Sequence, residues 1–411
     1  MPEDVPMPSA SIDRFVESHW SVPGAHLLRR ALLDRSVRAA VFPFVLTRFL
    51  IVIIFILAIN LTMLEPVTDV RHSSISVYKS SITQTLRLIA LGGDSSWYIG
   101  IAREGYYQRP IDNLNQHNAA FFPLYPLLLR GAARITGGVE LTGMLMSSII
   151  FLLALILLHK TVGAFGLDEA TAERAVFYVA AFPTSYFFSV PMTESLFLLL
   201  TVGSFYAAKR ERWWLAGILG ALASATRVPG ITLFPALLLL YWQRHRGWPR
   251  MNIVGVFLIP AGLLAFICYL YLTTGNAFAF KDAQVAFGRN FGFFMHPLFY
   301  YVTNPHEVAV PWSFNLLNFA AAVLSFACGF VLVMRREWAL AFYTLASIII
   351  PLSAISLLSL TRYTMVIFPV FMILAEAGRS PRIDQTIRTI FVIMLGLMAA
   401  LFAAKITIAM A

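Results

Sequence analysis

Cysteine is almost missing from this sequence. Its 411 residues include only two cysteines, Cys268 and Cys328, and both lie inside apolar runs. This usage excludes a disulfide framework and a cysteine-based metal cluster. The eight histidines are scattered and form no H-E-x-x-H motif. The sequence therefore also argues against a zinc site built by the protein.

Charged residues are scarce as well. Only 13% of the residues are charged, 59% are hydrophobic and the mean hydropathy is +0.74, whereas a soluble domain is about 25% charged and about 45–50% apolar. We therefore expect one all-α polytopic membrane bundle rather than several soluble domains. The net charge of +10 does not indicate nucleic-acid binding, because excess Lys and Arg in membrane proteins favours short cytoplasmic loops beside anionic lipid.

Long apolar runs predict the membrane spans. A helix needs roughly 20 apolar residues to cross the hydrocarbon core. About forty polar and basic residues precede the first run, so we expect no cleavable signal peptide. Residues 1–38 are predicted to be a cytoplasmic N-terminal tail, and residues 39–411 a single transmembrane domain. About eleven spans are predicted, at residues 40–62, 140–160, 174–190, 194–208, 213–226, 229–242, 252–273, 312–334, 338–358, 361–377 and 388–410.

The distribution of basic residues predicts the orientation of these spans. With the N-terminus in the cytoplasm, 18 of the 31 Lys and Arg residues fall in the tail and in short cytoplasmic loops, which is the bias that fixes topology. Two large loops, 63–139 and 274–311, then lie outside the cytoplasm. We interpret the apolar segment 119–135 as interfacial or re-entrant, because as a span it would move the later basic loops outside.

The same topology collects polar residues on the outer face. Ionisable groups at a membrane boundary are costly and usually need a partner or a wet cavity. The pattern predicts a site that faces outward from the cytoplasmic (inner) membrane or, in a eukaryote, into the ER lumen. The residues are Asp94, in the stretch GGDSSWYIGIAREGYYQ, and Glu194, Arg227, Lys281, Gln284, Arg289 and Arg362.

Each of these residues also has a purely structural interpretation. Asp94 could cap the helix that follows it, and Glu194 could favour the positive end of a helix. Arg227 and Arg362 could be anchors that extend to the interface. Three aromatic residues could belong to the belt at the membrane surface: Trp97, Tyr98 and Tyr106.

An aspartate that faces arginines at the outer surface suits glycosyl transfer from a lipid-linked sugar phosphate. Asp94 can take a proton from a hydroxyl nucleophile as a general base. Arginine forks match a phosphate and stabilise the negative charge that it gains on leaving. Such a donor presents its phosphate at headgroup level while its tail stays in lipid.

Five stretches also carry a family resemblance. They resemble, in matching order over roughly residues 85–375, the GPI mannosyltransferase 2 family and its prokaryotic relatives, within the C-superfamily of membrane glycosyltransferases. The resemblance implies a polyprenyl- or dolichyl-phosphate sugar donor used on the non-cytoplasmic face. The sequence departs from the family pattern at Gly93, where tryptophan is usual. The stretches are GGDSSWYIGIAREGYYQ, AAFFPLYPLLLR, PTSYFFSVPMTESLFLLL, SATRVPG and SLTRYTMVIFPVFMILAE.

The resemblance also implies roles for individual residues. Asp94 stands at the position of the family's catalytic base, Glu194 matches its outer acid, and Arg227 and Arg362 match its arginines. From the residues themselves we predict that Lys281 or Arg289 adds to the phosphate site. Sugar or acceptor contacts are predicted for Trp97, Tyr98, Tyr106 and Gln284.

These predictions describe an inverting enzyme that transfers a sugar, most simply mannose, from a polyprenyl phosphate to a hydroxyl of a glycan or glycolipid. Glu194 is predicted either to raise the pKa of Asp94 as a second acid or to bind the sugar. The sequence leaves open whether a divalent cation bridges the two acids and the phosphate, and it indicates no other cofactor. The alternative function is a membrane transporter or a flippase for lipid-linked sugars, and a membrane scaffold is a third option.

Overall fold

The computed structural model describes residues 34–62, 82–109, 111, 115–245, 250–304 and 314–408. Within these ranges all regular structure is helical, and short 3-10 turns join several of the helices. The helices are α1 (Arg35–Thr62), α2 (Ile82–Ala90), α3 (Ser95–Glu104), α4 (Leu124–Thr136), α5 (Val139–Ala164), α6 (Glu169–Ala181), α7 (Glu194–Lys209), α8 (Trp213–Ser224), α9 (Leu233–Arg244), α10 (Ile259–Thr274), α11 (Ala279–Asp282), α12 (His296–Thr303), α13 (Phe314–Met334), α14 (Trp338–Leu352), α15 (Leu360–Thr364), α16 (Phe368–Ala377) and α17 (Pro381–Ile408).

Apolar helices dominate the described chain, as the sequence predicts. Each predicted span overlaps at least one helix, but the number of membrane crossings stays a prediction. By length and composition, five segments are long and apolar enough to cross a membrane: Arg35–Leu61, Val139–Ala164, Met251–Thr274, Asn315–Met334 and Pro381–Ala404. Three shorter helices, α8, α14 and α16, are also apolar.

Parts of the predicted tail and loops lie outside the described residues, namely 1–33 of the tail, 63–81, 110 and 112–114 of the first outer loop, and 305–311 of the second. Helix α1 begins at Arg35, so the predicted boundary after residue 38 falls inside a helix. The segment that we interpreted as interfacial contains helix α4, which is amphipathic and keeps Tyr125 and Leu129 buried.

Helix α7 forms the centre of the bundle and packs against α5, α8 and α9. Nearly all of its side chains are buried. Its first residue is Glu194, and this side chain has no exposed surface. The positive end of the helix dipole favours a carboxylate at this position.

The predicted span 174–190 is wrong in its second half. Helix α6 ends at Ala181, and the chain then runs through a short 3-10 turn, Ser185–Ser189, to the start of α7. All residues from 182 to 193 are buried, and Pro183 and Pro191 interrupt helical hydrogen bonding there. Non-helical backbone at membrane depth is tolerated only where protein or a water-filled cavity surrounds it.

Arg48, in the middle of α1, supplies hydrogen bonds to this non-helical stretch. Its Nη1 donates to the carbonyl oxygen of Ser185 at 2.8 Å, and its Nη2 donates to that of Ala180 at 3.2 Å. The Ser185 hydroxyl lies 2.6 Å from Nη2, and the guanidinium stacks over Phe151 at 4.8 Å. A buried arginine inside an apolar helix is thus explained by the carbonyl groups that it satisfies.

We expect Arg48→Met to destabilise the protein by about 1–3 kcal/mol, because it leaves buried carbonyl groups without donors. Thermal unfolding in detergent measures this loss. The control is Arg134→Met, which changes an exposed arginine on α4 and is expected to alter stability by less than about 0.5 kcal/mol. Equal melting temperatures for the two variants would contradict the role of Arg48.

Candidate functional site

A large cavity opens next to the N-terminal end of α7. Its volume is about 920 Å³. One part of its wall is apolar and includes Phe187, Leu401 and Phe402. The polar part of the wall contains seven of the ten predicted site residues: Asp94, Tyr98, Arg227, Lys281, Gln284, Arg289 and Arg362.

Arg362, on α15, bridges the two predicted acids. Its Nη1 lies 2.6 Å from Oδ2 of Asp94, and its Nη2 lies 2.7 Å from Oε1 of Glu194. Its Nε also donates to the same Glu194 oxygen at 3.1 Å. The guanidinium lies 4.5 Å above the ring of Phe187. Asp94 and Arg362 are 268 positions apart in the sequence and are in direct contact in the structure.

Arg227 forms the second arm of this network. Its Nη1 donates to Oε1 of Glu194 at 3.0 Å, and its guanidinium lies 4.6 Å from the ring centroid of Tyr363. Oε2 of Glu194 is buried with no hydrogen-bond partner among the described residues. Glu194 does not line the cavity and instead contacts the two arginines from behind the cavity wall.

The geometry decides between the alternatives that the sequence leaves open. Asp94 occupies the N-cap position of α3, but its side chain makes no capping hydrogen bond. The side chains of Arg227 and Arg362 are 11% and 12% exposed, so neither reaches the interface as an anchor. Ion pairs with Glu194 or between Asp94 and Arg362 hold these three side chains, and the helix-capping and interface-anchoring interpretations do not apply.

The pKa of Asp94 is lowered from its ordinary value. Burial acts to raise this pKa, but the charge and hydrogen bond of Arg362 and the charges of Arg289 and Arg227 outweigh it. We expected a neighbouring carboxylate to raise the pKa, and this expectation is wrong because a guanidinium separates the two acids. Asp94 is therefore ionised at neutral pH, and its side chain is 38% exposed.

Two further cations and an amide line the same cavity. Arg289 donates to the hydroxyl of Tyr363 at 3.4 Å, Lys281 lies 5.1 Å from the ring centroid of Phe291, and Gln284 donates to the carbonyl of Ala120 at 3.4 Å. Tyr363, which contacts both Arg227 and Arg289, is a site residue that the sequence does not predict. Its only sequence signal is its place directly after Arg362.

The predicted aromatic residues are placed differently from one another. Tyr98 lines the cavity and its hydroxyl lies 3.5 Å from that of Thr193. Trp97 and Tyr106 lie outside the lining. Trp97 stacks on Phe121, with centroids 5.6 Å apart, and the hydroxyl of Tyr106 donates to the Phe121 carbonyl at 2.7 Å. Both therefore support a residue of the cavity wall and do not face the cavity themselves.

The backbone explains glycine at position 93. Gly93 has φ +59°, and a Cβ there would make only ordinary contacts, at 3.8 Å, with Met192 and Phe402. Conformation rather than space therefore disfavours a larger residue, since the left-handed region is unfavourable for other amino acids. This turn directs Asp94 toward Arg362.

The arrangement does not favour a divalent cation between the two acids. Arg362 lies between Asp94 and Glu194 and already bonds to both carboxylates. A guanidinium thus supplies the positive charge at this position. Four cationic side chains and one acid, Asp94, line the cavity, and Glu194 lies behind its wall. This excess of positive charge suits an anion such as a phosphate.

Comparisons with known proteins identify relatives. Residues 34–246 match the family model described as Mannosyltransferase (PIG-V). GPI alpha-1,6-mannosyltransferase 2 of Cricetulus griseus is 31% identical over 207 residues, and that of Rattus norvegicus is 29% identical over 210 residues. Each alignment covers 46% of this chain and 39% of the relative. The chain thus matches well under half the length of these relatives.

Solved structures give a weaker likeness. The apo oligosaccharyltransferase of Archaeoglobus fulgidus aligns with 88% of this chain and 56% of its own, with a TM-score of 0.42 and 12% identity. The same enzyme in complex with Zn and sulfate gives a TM-score of 0.41 and 14% identity, over 87% of this chain and 53% of its own. Such scores are too low to establish a shared fold.

The family match includes three of the motifs that carry the site, those with Asp94, Glu194 and Arg227. It extends over more than half of the residues. The chain belongs to the mannosyltransferase (PIG-V) family.

Proposed function

We propose that this protein transfers a mannosyl group from a polyprenyl-phosphate donor to a hydroxyl of a glycan or glycolipid acceptor. The reaction takes place in the large cavity, on the extracytoplasmic face of the membrane. The observation that carries the proposal is the contact of Arg362 with both Asp94 and Glu194 at the wall of a cavity that is cationic on one side and apolar on the other.

The donor fits the two sides of the cavity. Its phosphodiester carries one negative charge and gains a second when the sugar leaves. Arg227, Arg289, Arg362 and Lys281 line this part of the cavity. The acids already hold Arg227 and Arg362 in place, so these two guanidinium groups stabilise the leaving phosphate without reorganising. The isoprenoid tail lies against the apolar wall near Leu401 and Phe402.

Asp94 acts as the general base in a single displacement. Its contact with Arg362 uses Oδ2, which leaves the other oxygen for the acceptor hydroxyl. The hydroxyl proton moves to Asp94 as the acceptor oxygen bonds to the anomeric carbon, and the bond from that carbon to the phosphate oxygen breaks. Attack from the face opposite the phosphate inverts the configuration.

Glu194 is assigned a positioning role instead of a catalytic one. It is fully buried and contacts Arg227 and Arg362 through Oε1. Because it does not line the cavity, direct contact with the sugar is not supported. It fixes the direction of the two guanidinium groups toward the phosphate.

Membership of a mannosyltransferase family does not favour the transporter or flippase alternative.

The donor class is tested with purified protein in liposomes. We expect mannose transfer and stoichiometric release of polyprenyl phosphate from polyprenyl-phosphate mannose, and no transfer from GDP-mannose. Heat-denatured protein is the control. Transfer from the nucleotide sugar alone would refute the lipid-linked donor.

Replacing Arg362 is expected to change the pH dependence of transfer. In the wild type Asp94 has a lowered pKa, so the base stays ionised and kcat/KM is retained as the pH falls below neutral. In Arg362→Gln the guanidinium charge bonded to Asp94 is gone, so it no longer opposes the rise in the Asp94 pKa that burial causes. The pKa of Asp94 then rises, and activity is lost at a higher pH as the pH falls.

The matched control for this shift is Arg362→Lys. It keeps a positive charge near Asp94, so the acid limb of the kcat/KM profile should stay near its wild-type position although the rate falls. An acid limb at the same pH in the glutamine and lysine variants would show that Arg362 does not set the ionisation of the base.

A further inference from the structure

A second group of ionisable side chains lies at the hairpin between α5 and α6. His159 is near the end of α5, and Glu169 and Glu173 occupy the first two turns of α6. One ligand atom from each residue lies within 4.8 Å of the others. His159 is about 30 Å along α5 from the first turn of that helix, where Glu140 pairs with Arg103 of α3. The group is thus remote from α3 and the cavity.

The imidazole of His159 is buried and only half satisfied. The residue is 8% exposed, and its Nδ1 lies 3.0 Å from the hydroxyl oxygen of Ser36 on α1. Its Nε2 is buried with no hydrogen-bond partner in the described part of the chain. A buried polar atom of this kind requires an explanation, and a bound ion is one of the recognised ones.

The spacing leaves room for an ion between the ring and the two carboxylates. His159 has no ion pair within 4.0 Å with Glu169 or Glu173 among the described residues, so the ring and the carboxylates are separated by a gap. Ligand atoms about 2.1 Å from a tetrahedral metal lie roughly 3.4 Å from one another. A small inward movement of the two exposed glutamates therefore completes such a geometry.

We propose that His159, Glu169 and Glu173 bind a divalent transition-metal cation, with Zn²⁺ the best match to one imidazole nitrogen and two carboxylate oxygens. The cation neutralises two carboxylates, and solvent fills its remaining positions. Arg35 pairs with Oε2 of Glu169 but is 73% exposed, so it can move away. The sequence argued against a zinc site because these residues form no recognised motif, but the hairpin brings them together.

The Ser36 hydroxyl acts as the outer-shell partner of the metal ligand. Its bond to Nδ1 holds the ring so that Nε2 faces the cation, as such partners do for most metal-binding histidines. Because Ser36 belongs to α1, the ion braces α1 against the α5–α6 hairpin. This role is independent of sugar transfer, and its test does not depend on activity.

The experiment uses the purified full-length protein in detergent after treatment with a chelator. ZnCl₂ is expected to raise the melting temperature by about 3 °C at saturation, and Co²⁺ is expected to give the visible absorption of a low-coordinate site. In the double variant Glu169→Gln, Glu173→Gln both responses are lost. These side chains are exposed, so the folded state is retained. In Ser36→Ala the affinity falls about tenfold.

The matched control is Glu211→Gln. Glu211 lies 3.3 Å from a ring nitrogen of His245, so this variant removes a different histidine–carboxylate pair. It is expected to keep the full response to Zn²⁺ and Co²⁺. A response that persists in the double variant, or that disappears in Glu211→Gln, overturns the proposal, as does a wild-type protein that responds to neither metal.

Discussion

Asp94→Asn is expected to lower kcat for mannose transfer by about 10²–10⁴-fold, the usual contribution of a general base. Asparagine keeps the size of the side chain and an oxygen that can accept the hydrogen bond from Arg362, so the network around the base is retained. Only the ability to take the acceptor proton is lost. The measurement is the transfer rate with saturating polyprenyl-phosphate mannose, together with the melting temperature of each protein.

The matched control is Asp282→Asn on α11. Asp282 belongs to the same predicted outer face, but it does not line the cavity and instead accepts a hydrogen bond from Asn276 at 2.7 Å. We expect wild-type transfer in this variant. If Asp94→Asn transfers mannose as fast as Asp282→Asn, Asp94 is not the base.

Each predicted span overlaps a helix because apolar runs of helical length have few other ways to satisfy their backbone in a membrane, while the number of crossings stays a prediction. The sequence does not predict where α6 ends. The hydrogen bonds that stabilise the buried stretch after Ala181 come from Arg48, more than 130 residues away. A local hydrophobic pattern carries no information about such a distant donor.

The candidate site is also predictable only in part from the sequence. Counting spans places Asp94, Glu194, Arg227 and Arg362 on one side of the membrane, and the structure brings these four together. The count of spans does not predict which of these four side chains lies deeper in the protein than the others. Arg362 reaches its position between the two acids, in front of Glu194, because α15 packs against α13 and α14. This position reverses the expected effect on the pKa of Asp94.

Glu194→Gln is expected to destabilise the protein by about 3–5 kcal/mol, the cost of removing one partner from a buried ion pair. It leaves Arg227, with 11% of its side chain exposed, without its carboxylate partner, while Arg362 keeps its contact with Asp94. Thermal unfolding in detergent measures this loss. The control, measured in chelator-treated protein, is Glu169→Gln, because Glu169 pairs with Arg35 and the two side chains are 42% and 73% exposed. An exposed pair contributes only about 0–1 kcal/mol.

Kinetics then separate positioning from a purely structural role of Glu194. The glutamine variant adds one net positive charge behind the cavity wall, so attraction of the donor phosphate is retained while the direction of the two guanidinium groups is lost. We therefore expect kcat to fall more than the KM for the donor rises, measured below the melting temperature of the variant. If kcat is unchanged and only stability falls, Glu194 supports the fold alone, and Asp94 with the cavity-lining cations is sufficient for transfer.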